Sequence, residues 1–461
     1  MGITEKLFHK MQEFGGANAL ACAEIRGAFS VERMRAAVGQ LAARHALLRC
    51  RVDVKDQWPH FVLHDEPELP LVVVERGSSE VRDRVIGEER KVDYYQQPWL
   101  WRVTCVRDSA DPGRFWMVVC MNHSVIDGTS LWHAIKQLLT DYATPSNTPA
   151  RAAVKELEPN LESFQKYRLT FFDLLRFVAG QLVRLLFRRR RVPAEARVDS
   201  SQRTTQTVLR QFSPELSEQL RRRVREESTT VNGALSAAIL FAAARRMAPG
   251  GSVTVDMETN VSFRKQYEVN NEQAGALVSI LPTAHKVSPS RSFWDLAREC
   301  REAIKTLVDN DRHVAATYLW EAIQRMMSDS AKRQVLDGKE LGRLAPVAIS
   351  NVGALDVPRE YPGLTLEGLR FTAAQQGFGY YFGYYVGSLA GRLQITLSYA
   401  EPVISRATAD AVADEVVTLL EHALVKGDFT HAQTPKLMRA RASKQKPSLS
   451  PAQEPAGRHV A

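Results

Sequence analysis

The residues best placed to do chemistry form one short run, Asn122-His123-Ser124-Val125-Ile126-Asp127-Gly128. Near pH 7 neutral imidazole is the side chain best suited to take a proton from a hydroxyl or an amine, which makes His123 the candidate base. Asp127, four residues later, is placed to fix the loop by an ion pair or to cap a following helix, and Gly128 to close the turn. On pattern alone, a strand-end histidine followed by an Asp cap is more often structural than functional. Cys120 and His123 lie three apart, but two further ligands at metal-site spacing are missing, so no metal is expected.

The elements around the run are readable. Phe115 to Met121 (FWMVVCM) is a continuous apolar run, most simply a buried strand that delivers His123 to its carboxyl end, a common place for sites in α/β sheets. An amphipathic helix is expected from about 129 to 142. Upstream, 19–29 reads as a strand, and Ser30 offers an N-cap to a helix with Val31, Met34, Val38 and Leu41 on one face. In the second half, Ser213-Pro214-Glu215 is a helix start and 230–247 an Ala-rich helix. Strands are expected near 253–261, 345–350, 366–374, 378–386 and 392–399, and a last helix over 406–425. Alternating strands and helices in both halves predict α/β layers. The expected division is a first lobe over 1–150, a connector over 151–205, a second lobe over 206–430 and a disordered basic tail over 431–461.

Other catalytic signatures are missing: the sequence contains no GxSxG elbow, no GxxxxGK[ST] loop and no HExxH. Gly377-Phe378-Gly379-Tyr380-Tyr381-Phe382-Gly383 misses dinucleotide spacing by one residue and opens no helix. It reads instead as a strand paired in a hairpin with RLQITLSY.

The formal charge of +9 over 461 residues raises nucleic acid as a partner, and its distribution argues against that. Arg168, Arg176, Arg184 and Arg188 to Arg191 against Asp173 give the stretch 168–191 a net +6. The tail 433–461 carries +5, which leaves the rest of the chain near −2. No nucleic acid is therefore expected. Residues 169–187 are rich in Leu, Phe and Val, but Asp173, Arg176 and Arg184 each cost about 2.5–3.5 kcal/mol at a membrane centre, which makes spanning unfavourable or marginal. On a helical wheel the charged residues share one side, opposite Leu175, Val178, Leu182, Leu185 and Leu186. Such a basic amphipathic helix suits an interfacial membrane contact, or equally packing against the body with its arginines outward. Five scattered cysteines without a CxxC pair and an N-terminus without a signal-peptide core predict a reducing, cytoplasmic setting, with peripheral membrane contact through 168–191 left open.

Asn122–Gly128 resembles the HHxxxDG motif of the condensation-domain and acyl-CoA-dependent acyltransferase superfamily, which includes polyketide-associated acyltransferases and wax ester synthases. Five further segments match in order. Arg44–Arg49 (RHALLR) is similar to RHxxLR, and Pro98–Arg102 (PWLWR) to the PLW-type strand entry. Thr230–Gly233 (TVNG) is similar to TVND, Asn260–Arg264 (NVSFR) to the strand ending in Arg, and Ser350–Gly353 (SNVG) to SNxG. The first motif His is Asn122 here; the second is kept as His123. The resemblance implies two chloramphenicol-acetyltransferase-like lobes with a tunnel between them. It implies transfer of an acyl group from a CoA or carrier-protein phosphopantetheine thioester to an alcohol by direct attack, with His123 as general base and no acyl-enzyme. No bound cofactor is expected; the thioester is a co-substrate. Asp127 would pair with Arg264, Gly128 would permit the turn, Asn122 would orient the loop, and Ser350 or Asn351 would supply an oxyanion donor. A carrier protein as donor, an amide-forming reaction and a catalytically silent binding member of the fold stay open. A monomer is expected.

Overall fold

A computed structural model describes residues 1–55, 58–64, 68–145, 154, 156–164, 170–173, 175, 176, 179, 180, 192–310, 317, 318 and 326–434. The first half contributes helices α1 (Ile3–Gln12), α2 (Val31–Arg44), α3 (Ser79–Glu89) and α4 (Gly128–Ala143). Its strands are β1 (Asn18–Gly27), β2 (Cys50–Lys55), β3 (Trp58–Leu63), β4 (Leu71–Gly77), β5 (Trp101–Asp108) and β6 (Arg114–Asn122). The second half contributes α5 (Pro214–Glu226), α6 (Val231–Met247), α7 (Phe293–Asp309), α8 (Asp329–Asp337) and α9 (Arg406–Lys426). Its strands are β7 (Thr204–Gln211), β8 (Val253–Ser262), β9 (Val278–Val287), β10 (Arg343–Leu355), β11 (Glu360–Tyr361), β12 (Leu364–Ala373), β13 (Gly379–Leu389) and β14 (Arg392–Glu401).

These form two lobes, each a six-stranded sheet with its own core. The first sheet runs β11-β12-β1-β6-β5-β4 and the second β7-β14-β13-β10-β8-β9. The apolar run at 115–121 becomes β6, buried along its length except at Arg114, with β1 and β5 paired on its two edges and its side chains in the first core. Ser30 Oγ accepts from Arg33 N (3.2 Å) and starts α2, whose buried Met34, Ala37, Val38 and Leu41 face the first core. The glycine-rich 377–383 stretch enters β13, and β13 turns back on β14 with Gly383 opposite Ser398 and Leu389 opposite Arg392.

The division at residue 206 misses one connection. Strand β12, from the second half, leaves its own lobe and pairs antiparallel along β1, with Ala19 opposite Ala373 and Gly27 opposite Leu364. Without it β1 would present an open edge in the middle of the molecule. The crossing ties the lobes covalently on the side where β1 and β6 begin and end.

Local signals govern α6 as well. Thr230 Oγ1 accepts from Gly233 N (3.0 Å) to cap it. A Cβ on Gly233 would lie 2.6 Å from the Ala297 carbonyl of α7, so this close helix contact admits only glycine where the family pattern has Asp. Among the described residues no helix is long and apolar enough to cross a membrane. Of the basic segment 168–191, the described residues include Phe171 (69% exposed), Phe172 (72%) and Leu175 (47%). Its Arg184 and Arg188–Arg191, and the tail from 435, lie outside the described residues.

Candidate active site

Strand β6 ends where β1 begins. Asn122 is the last residue of β6 and pairs with Asn18, and His123 N donates to Ala17 O (2.7 Å). Consecutive residues on an extended chain face opposite ways, so Asn122 and His123 part company. The Asn122 side chain turns inward. Its Oδ1 accepts from Tyr95 OH (2.8 Å) and Ser124 N (3.0 Å), and its Nδ2 donates to Gln12 Oε1 and Asn18 Oδ1 (both 3.4 Å). It is fully buried and holds the start of the loop.

The imidazole of His123 turns into a cavity between the lobes. Its Nδ1 lies 2.9 Å from Ile126 O. A carbonyl oxygen only accepts, so Nδ1 carries the proton and the neutral ring keeps its lone pair on Nε2. The ring stacks on Phe8 of α1, with centroids 4.6 Å apart and planes 13° apart. Burial pulls the imidazole pKa below its ordinary value, against smaller opposing effects of the Ile126 carbonyl and the Asp127 charge. At neutral pH His123 is therefore an unprotonated base with one nitrogen available.

Asp127 is saturated by four donors. Oδ1 accepts from Ser130 N and Oγ (both 2.8 Å), which caps α4. Oδ2 accepts from Arg264 Nε (3.0 Å) and Leu277 N (3.1 Å). Arg264, equally buried, also donates to Asn270 O (2.9 Å) and Gly275 O (3.3 Å). A short bridge between Ile126 and Gly275 runs alongside. The carboxylate thus fastens the loop to the second lobe. Gly128 serves space rather than the turn: it is the first residue of α4, and a Cβ there would lie 3.0 Å from Val352 of β10.

Further cavity walls come from Met11, Ala17, Asn18, Leu131, Phe371 to Gln375 and, in the second lobe, Asn260, Val278, Ile280, Ser350, Val352 and Tyr385. The free space is about 100 Å³. Ser350 belongs to this wall, whereas Asn351 does not. Its Oδ1 accepts from Gly353 N (2.9 Å) and its Nδ2 reaches Asn232 Oδ1 (3.5 Å), the alternate direction along β10. Asn351 is therefore not positioned as an oxyanion donor. The RHALLR segment is also scaffold: Arg44 pairs with Asp141 of α4, and His45 with Gln137 and Glu158.

Among the described residues no group of three or more His, Cys, Asp or Glu converges as a metal site. Cys120 packs its thiol toward Glu89 O (3.5 Å), and burial pushes its pKa up. Phe8 and Asn260 were not legible as site residues. The apolar spacing of Leu7, Phe8 and Met11 marks a helix face, but nothing local says that this face meets His123.

Residues 201–398 match the family model described as the phthiocerol/phthiodiolone dimycocerosyl transferase C-terminus. Three solved structures share the whole architecture. The trichothecene 15-O-acetyltransferase TRI3 of Fusarium sporotrichioides superposes with a TM-score of 0.71 at 12% identity, covering 90% of this chain and 93% of that one. Polyketide synthase associated protein 5 of Mycobacterium tuberculosis gives 0.62 at 15%, covering 92% and 97%. The first condensation domain of the calcium-dependent antibiotic synthetase gives 0.67 at 16%, covering 94% and 97%. At these identities the likeness is one of fold.

Proposed function

We propose that the chain moves an acyl group from a CoA or carrier-protein thioester to an alcohol, a reading supported by the family-model match over residues 201–398 and by the fold it shares with acetyltransferase and condensation-domain structures. The observation that carries this reading is His123: proton on Nδ1, lone pair on Nε2, ring in the cavity between the lobes. Nε2 takes the acceptor's proton as its oxygen attacks the thioester carbonyl, and later returns a proton to the departing thiolate. Base catalysis of this kind contributes on the order of 10²–10⁴-fold, and holding both substrates in one cavity supplies much of the rest. Asp127, its oxygens already committed to four donors, positions the loop and takes no proton. No acyl-enzyme is formed.

The apolar lining of Phe8, Met11, Leu131, Val278 and Ile280 favours an aliphatic acyl chain or a lipidic acceptor. Exposed Phe171, Phe172 and Leu175, on a stretch with a net charge of +6, support peripheral contact with an anionic membrane from a cytoplasmic setting. Five buried, unpaired thiols agree with a reducing compartment.

The test is a panel of acyl-CoA thioesters against alcohols and amines, followed by CoA release and product mass. Ester formation supports the reading. Amide formation moves the chain to the condensing branch, and no CoA release from any pair leaves it a silent binding member of the fold. Flotation with anionic liposomes tests the membrane contact, which fails if protein lacking 169–191 floats equally well.

A further inference from the structure

The second lobe presents His123 with a row of residues that crosses four strands. Ile280 of β9 is the partner of Asn260 of β8, Asn260 of Ser350 of β10, and Ser350 of Tyr385 of β13. All four line the cavity, and apart from His123 no ionisable nitrogen or carboxylate does so among the described residues. Negative charge that develops there must be met by neutral donors.

Most of the polar side chains in the cavity are already committed. Asn18 Nδ2 donates to Val92 O (2.8 Å). Gln375 donates to Tyr385 OH (2.9 Å) and accepts from Tyr380 N (2.8 Å). Asn260 differs: its Oδ1 is buried and no described residue donates to it. Buried polar atoms in folded proteins nearly always have a partner. An uncommitted amide on a cavity wall can present either its oxygen or its two N–H donors to whatever occupies that cavity.

We propose that Asn260 holds the thioester carbonyl oxygen during acyl transfer, donating from Nδ2 as that oxygen becomes negative, with Ser350 beside it in the row. The role rests on the acyl-transfer reading above. The acceptor oxygen bonds to the carbonyl carbon as its proton passes to His123 Nε2, and the carbonyl π pair moves onto the oxygen that Asn260 holds. When that pair returns, the carbon–sulfur bond breaks and the proton on Nε2 goes to the departing thiolate. A preorganised donor in a water-poor site acts on the transition state far more than on the bound substrate.

The experiment uses the full chain and two variants, Asn260→Ala and the nearly isosteric Asn260→Asp, so that a folding failure of the first leaves the second. CoA release from octanoyl-CoA is measured with an alcohol that the unaltered protein accepts. The expected result is a fall in kcat of about 10²–10³-fold in both variants, with KM for octanoyl-CoA within about threefold. Turnover within about threefold of the unaltered protein overturns the role. Binding of 2-oxononyl-CoA, a ketone in place of the thioester, is measured beside nonyl-CoA, which lacks the carbonyl. Asn260→Asp should weaken the ketone selectively. If the unaltered protein releases no CoA from any thioester, the acyl-transfer reading fails by itself. Asn260 is then judged on the ketone: no binding, or equal binding by protein and variant, overturns it.

Discussion

The two walls that meet at the cavity are built on opposite plans. On the first lobe, the loop 122–128 is held by two side chains spent on the protein: Asn122 makes four hydrogen bonds and the Asp127 carboxylate accepts four. Of the polar atoms that face the cavity, His123 Nε2 is left over. On the second lobe, the row from Ile280 to Tyr385 is held by strand pairing, and Asn260 Oδ1 is left with no partner among the described residues. Where side chains carry the architecture, their loss should cost stability. Where the backbone carries it, side chains are available to a ligand, and their loss should cost turnover.

The largest stability effect is expected at the join between the lobes. Asp127→Ala strands a buried guanidinium and removes the cap of α4, and should lower unfolding free energy by about 3–5 kcal/mol in urea titration. A loss below about 1 kcal/mol would show that the ion pair is not the fastening. Asn122→Ala should follow with about 1–3 kcal/mol, since it leaves Tyr95 OH and Ser124 N without their acceptor. Ser350→Ala, by contrast, should change unfolding free energy by less than about 0.5 kcal/mol while lowering kcat, because β10 is held by its neighbours β8 and β13. Equal stability losses on both walls would erase the distinction.

The smallest effect is one of pH. Folding holds the His123 pKa below its ordinary value, mainly through burial, so the base stays neutral and active at neutral pH and loses activity only as pH falls through that lowered pKa. Phe8→Ala uncovers one face of the ring. Relief of burial raises the pKa, so the acid limb of kcat/KM should move to higher pH. A limb that stays put, or moves lower, would show that Phe8 does not set the environment of the base.

Much of the first-lobe wall could be read along the chain because its parts are local. A continuous apolar strand, a histidine at its end and an Asp four residues later occupy one short window, and the cap made by Asp127 is a contact with Ser130, three residues on. The helix start at Ser30 and the β13–β14 hairpin were legible for the same reason. What escaped is non-local. Strand β12 has the pattern of any half-buried strand, and nothing in it announces β1, some 345 residues earlier, as its partner. Asn260 is one polar residue in a strand until the register sets it beside Ser350. Phe8 is one apolar residue on a helix face until the fold lays it on His123. Asn351 shows the reverse error: adjacency to Ser350 in sequence means opposite directions on a strand.

The central claim is that His123 Nε2 is the base for attack on a thioester. The most direct measurement is the rate of CoA release and ester formation by His123→Ala, with its fold checked by circular dichroism, beside the unaltered protein. The account expects kcat/KM to fall by about 10²–10⁴-fold with the fold intact. Turnover undiminished in His123→Ala would contradict it.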